Sequence, residues 1–89
     1  VNEIEKKYKE LYNLYKEDNF KETVVKINEI LPSIQNSKLI PKFELLKAYA
    51  IGKYDKKEEY KKAMQFVAVN YGNTEEGKKA KDIVNQLSK

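Results

Sequence analysis

The chain has 89 residues, of which 36% are charged and 40% apolar, with only three glycines and two prolines. That mixture suits one domain of amphipathic helices around a modest core. All 18 basic residues are lysine and the net charge is +4, so arginine, the side chain that forks onto phosphates and guanine edges, is missing for specific nucleic-acid readout. Cysteine, histidine and tryptophan are also absent, which removes thiolate and imidazole metal ligands, the cysteine nucleophile and the usual general base. No catalytic residue, metal ligand or cofactor site is assigned.

The spacing predicts a first helix over Asn2–Glu17, where Ile4, Tyr8, Leu11 and Tyr15 form a stripe at steps of three and four. A second helix is expected over Phe20–Leu31, with Phe20, Val24, Ile27 and Leu31 on its buried face. Asn19 followed by Glu22 resembles a capping box at its start. Pro32 ends it, because the ring removes a backbone donor and disfavours helix in the residue before. Ser33–Ser37 reads as a connector, with Ser37 capping a third helix over Lys38–Lys53 that tolerates Pro41 in its first turn. Ile40, Phe43, Leu46, Ala50 and Tyr54 lie on its overlapping apolar faces.

Asp55 with Glu58 repeats the cap pattern and starts a fourth helix that extends to Asn70, with Tyr60, Met64, Val67 and Tyr71 facing inward. Gly72 is placed to be the left-handed residue past its end. Thr74 caps a fifth helix, with Glu75 and Glu76 where the positive end of the helix dipole favours them. Ala80, Ile83, Val84 and Leu87 form one side of that helix, and lysine and amide residues cover the other.

The apolar pattern occurs twice. Tyr8, Leu11, Leu14, Phe20, Val24, Ile27 and Leu31 each stand forty residues before Ala48, Ile51, Tyr54, Tyr60, Met64, Val67 and Tyr71. A two-helix unit repeated at such a period is the mark of a stacked helical array. The expected fold is all-α: an α-solenoid fragment in one domain, 1–89, with a first hairpin at 1–35, a second at 37–72 and a capping helix at 74–88. The unit resembles the tetratricopeptide repeat, through Leu11, Leu14, Phe20, Thr23 and Ile27 in one copy and Ile51, Tyr54, Tyr60, Ala63 and Val67 in the other. It departs from that family in its longer period, against about thirty-four residues, and in Thr23, where alanine is usual.

A closer resemblance runs through three stretches: Lys38 to Gly52, Tyr60 to Ala63, and Asn70 to Ala80. These are similar to the C-terminal repeats of the SprE (PorW) family of Bacteroidetes lipoproteins, which serve gliding motility and type IX protein secretion. The resemblance covers the last half of the chain residue by residue and the first half by pattern. It implies a C-terminal fragment of a longer protein, in keeping with a start at Val1 rather than Met. It also implies a periplasmic, outer-membrane-associated accessory without catalysis. Its partners would be other secretion components, and its membrane association would run only through a lipidated part elsewhere in the longer chain.

Three groups of residues are candidates for contact. Tyr8, Tyr12 and Tyr15 span two turns and cannot all fit a narrow core stripe, so a partner surface that includes Tyr49 is expected. Lys53, Lys56, Lys57, Lys61, Lys78 and Lys81 are candidates for a basic stripe facing an acidic partner. The pairs Glu58–Glu59 and Glu75–Glu76 sit about 100° apart on their helices and fit dipole roles better than a shared ligand. A first hairpin without a neighbour would leave Val1, Ile4, Tyr8 and Tyr12 open to more repeats, a second copy or another protein. The reading is a non-enzymatic protein-interaction scaffold. The alternative is a lysine-rich module binding nucleic acid or another anion, which salt would weaken steeply.

Overall fold

The computed structural model describes residues 3–35, 37–55 and 57–88. Among these it contains five helices and no strand: α1 (Glu3–Lys16), α2 (Phe20–Ile30), α3 (Ile40–Tyr54), α4 (Glu58–Asn70) and α5 (Glu75–Leu87). Each helix packs on the next, and α3 packs also on α1 and α5. The odd-numbered helices therefore form one layer, and α2 and α4 the other. The shortest dimension of the molecule is 18 Å, close to two helix diameters. This is a folded-back, solenoid-like pair of hairpins closed by a fifth helix. Val1 lies outside the described residues.

The hub is α3, which is apolar on two sides. Phe43 and Leu46 enter a first cluster with Leu11, Ile27 and Ile34. Leu45 and Ala48, on its other side, enter a second with Met64, Val67 and Ala80. The helix alternates its apolar residues between two hairpins, which is what a middle element of a stacked array requires. The outer helix α5 is one-sided: Gly77 and Ala80 are buried, while Lys78, Lys79, Lys81 and Asp82 are exposed.

The helix ends follow from hydrogen-bonding needs, and several differ from expectation. The left-handed residue is Asp18 (φ 68°), and no glycine has positive φ. The Asn19 N–H donates to the Leu14 carbonyl at 3.0 Å and the Asp18 N–H to that of Tyr15 at 3.1 Å. That pair of bonds is a Schellman ending for α1. Gly72 serves a different need. A Cβ there would lie 2.9 Å from the Ala68 carbonyl oxygen, so glycine lets the chain turn tightly against the end of α4.

Neither Asn19 nor Asp55 caps with its side chain. Asn19 precedes α2 without a side-chain cap bond, and α4 is preceded by Lys57. Thr23, in the first turn of α2, is fully buried, with its hydroxyl donating to the Asn19 carbonyl at 2.8 Å. Val24, expected on the buried face, is only half-buried. Ser37 accepts from the Leu39 N–H at 3.0 Å, bracing the turn before α3. The connector is not structureless, since Leu31–Ile34 forms a turn of 3-10 helix that buries Ile34. Tyr54 is 43% exposed rather than inward, with the Lys21 ammonium 5.7 Å from its ring centre.

Thr74 caps α5 as expected, accepting from the Gly77 N–H at 3.0 Å. Thr74→Ala should lower stability by about 1 kcal/mol, and Thr74→Ser should restore most of it. Urea denaturation of the two variants measures this. Equal midpoints for alanine and the parent would show that the cap contributes nothing.

Candidate functional site

The tyrosines of α1 recur at steps of four and three, which keeps them on one side of the helix. The Tyr8 and Tyr12 rings stack with centres 6.2 Å apart and planes 19° apart. Tyr12 and Tyr15 stack at the same distance with planes 24° apart. The outer rings are held edge-on: Tyr8 meets the buried Phe43 at 5.4 Å, and Tyr15 meets the half-buried Phe20 at 5.5 Å. Tyr12, between them, is 44% exposed. The Lys16 ammonium sits 5.6 Å from its ring centre, a cation–π contact at the lip.

Across from this ladder, Leu45, Leu46 and Tyr49 of α3 complete a groove of about 250 Å³. The structure thus gathers all four tyrosines expected to meet a partner. Burial raises the Tyr8 hydroxyl pKa, helped by Tyr12, Glu76 and Tyr49. Burial also raises Tyr15, with Tyr49, Tyr12 and Tyr60 adding to it. Tyr60 rises through burial and Tyr49. These three phenols therefore stay protonated at neutral pH and can donate hydrogen bonds. An apolar floor, flat rings and neutral hydrogen-bond donors line this groove.

Tyr60 and Glu76 were not in the predicted site. Their charges are felt by the groove tyrosines from the starts of α4 and α5, and no period within α1 or α3 could have indicated them. Of the residues expected to be left open, Ile4 and Tyr8 pack partly buried against the first cluster, and Tyr12 is exposed.

The lysines do not line up as one stripe. Lys53 lies in the last turn of α3, Lys57 precedes α4 and Lys61 lies in its first turn, so these three sit where α3 passes into α4. Lys78 and Lys81 lie in the first half of α5, which runs antiparallel to α4 and begins at its far end, about 18 Å along a thirteen-residue helix. Lys56 lies outside the described residues. Glu58 and Glu75 are exposed in first turns, and Glu59 pairs with Lys62 at 3.9 Å. Among the described residues, no three acidic side chains converge to hold a metal ion, and no helix is long and apolar enough to cross a membrane. No protein-family model matches the chain, and a search of curated proteins finds no relative.

Proposed function

We propose that the chain is a non-enzymatic protein-interaction module that takes a segment of a partner protein against the tyrosine groove between α1 and α3. The observation that carries this reading is the stacked ladder of Tyr8, Tyr12 and Tyr15. Its end rings pack partly buried against the first core cluster and its middle ring is left exposed. A rigid exposed tyrosine buries much area on binding at little entropic cost. Within this reading, the resemblance to the SprE (PorW) family supports a role as a tetratricopeptide-like accessory of Bacteroidetes type IX secretion and gliding motility. Its place would be periplasmic and associated with the outer membrane.

Tyr12→Ala should weaken partner binding by about 2 kcal/mol, or more than ten-fold, while leaving the core intact. Affinity capture from a Bacteroidetes envelope fraction, with parent and Tyr12→Ala chains side by side, tests this. Secretion components held by the parent and lost by the variant are the expected result. Capture of ribosomes or nucleic acid alone, falling steeply with added salt, would overturn it, as would equal recovery by both chains.

A further inference from the structure

The hydroxyls of the tyrosine groove are unused by the fold. Among the described residues, the side chains of Tyr8, Tyr12, Tyr15 and Tyr49 make no hydrogen bond to one another or to any other residue. No buried side-chain oxygen among these residues lacks a partner, so the half-buried Tyr8, Tyr15 and Tyr49 keep their rings against the protein and their hydroxyls in water. The rest of the lining is Leu45 and Leu46, both buried, and no charged side chain contributes to it. Burial holds Tyr8 and Tyr15 in the protonated form, so both stand ready as donors.

These properties discriminate among the ways in which a protein takes up a peptide. Strand addition needs an open sheet edge, and the described residues contain no strand. Capture of an acidic or phosphorylated segment relies on clustered arginines, and the chain has none. An amphipathic helix satisfies its own backbone and would press apolar side chains onto the hydroxyls, burying donors without acceptors. A polyproline II segment has the opposite character: it makes no internal hydrogen bonds, its carbonyls are open, and proline has no N–H to satisfy. The groove offers donors for those carbonyls and aromatic rings for the pyrrolidines. The dimensions agree as well. Tyr8 and Tyr15 lie two turns apart, about 10 Å along α1. One three-residue turn of polyproline II rises about 9 Å, so carbonyls on one face of such a segment recur at nearly the spacing of the two end tyrosines.

Resting on the groove as the docking surface, we propose that its occupant is a proline-rich segment of a partner protein in the polyproline II conformation, with a pyrrolidine ring against the exposed Tyr12 and carbonyls on the Tyr8 and Tyr15 hydroxyls. The test is a titration of the ¹⁵N-labelled chain with capped decaproline, compared with a capped alanine–lysine peptide of the same length, which favours helix. Decaproline should shift the amides of residues 8–15 and 45–49 and bind at least about ten-fold more tightly than the control. Tyr15→Phe keeps the ring and removes the donor. It should bind decaproline about five-fold more weakly and melt at the parent temperature, because the hydroxyl has no partner among the described residues.

Equal binding of the two peptides, undiminished decaproline binding by Tyr15→Phe, shifts confined to other surfaces, or no shift at millimolar peptide would overturn the proposal. Tighter binding of the alanine–lysine peptide would overturn it in favour of a helical occupant. If capture from the envelope fraction still depends on Tyr12 in any of these cases, the groove remains the docking surface and only the proline preference falls.

Discussion

Replacing Gly77 by alanine should destabilise the chain by about 3 kcal/mol, although the same change in an open helix position gains about 1 kcal/mol. The sign reverses because of what lies against the residue. Gly77 is buried in the first turn of α5. A Cβ there would run into the Tyr71 carbonyl and come within 2.8 Å of the Gly72 Cα. Both obstacles are backbone, so no rotamer change relieves them. Relief requires α5 to move off the end of α4, which would also strain the Thr74 cap on the Gly77 N–H. Gly52→Ala is the control. Its Cβ would meet the Tyr60 ring at 2.7 Å, and a ring can pivot, so its loss should be smaller. Urea denaturation of the two variants gives the comparison. A Gly77→Ala chain as stable as the parent would mean that α5 does not pack against the α4 terminus as described.

This joint also shows where sequence reasoning stops. Gly72 looked like a helix-terminating residue because glycine is the usual left-handed ending. Its actual value is steric, since a Cβ there would press on the Ala68 carbonyl, just as one on Gly77 would meet the Tyr71 carbonyl across the turn, and helix periodicity does not reveal how tightly that turn closes. The left-handed position fell instead to Asp18, a residue type that tolerates it. The helices themselves were legible, because a step of three or four apolar residues is a local signal. The groove was partly legible: three tyrosines on two turns exceed what one core stripe can bury, which marked α1, and Tyr49, expected on the same surface, is brought there by the packing of α3 on α1. Thr23 stood in the repeat pattern where alanine is usual. It is buried because its hydroxyl is satisfied within its own turn. The burial of Glu44 gave no local sign, since nothing in its neighbourhood along the chain distinguishes a buried glutamate from a solvated one.

Phe43→Ala is expected to cost about 3–5 kcal/mol, a large share of the roughly 4–13 kcal/mol available to a domain of this size. Phe43 is fully buried and sits in the first cluster among Leu11, Ile27, Ile34 and Leu46. Its ring is also the edge partner of Tyr8 at 5.4 Å, so its loss should reach the groove as well as the core. With that anchor removed, Tyr8 no longer has a fixed plane against which Tyr12 can stack. Met64→Ala separates the two effects. Met64 is equally buried but belongs to the second cluster, so a loss of about 2–5 kcal/mol there should leave the ladder in register. Near-ultraviolet circular dichroism is dominated by tyrosine in this tryptophan-free chain and reads the ladder directly. Under conditions where both variants remain folded, Phe43→Ala should lose much of the tyrosine signal and Met64→Ala little. Equal losses would mean that the two clusters behave as one, and that the groove is supported by the whole core rather than by the Tyr8–Phe43 contact.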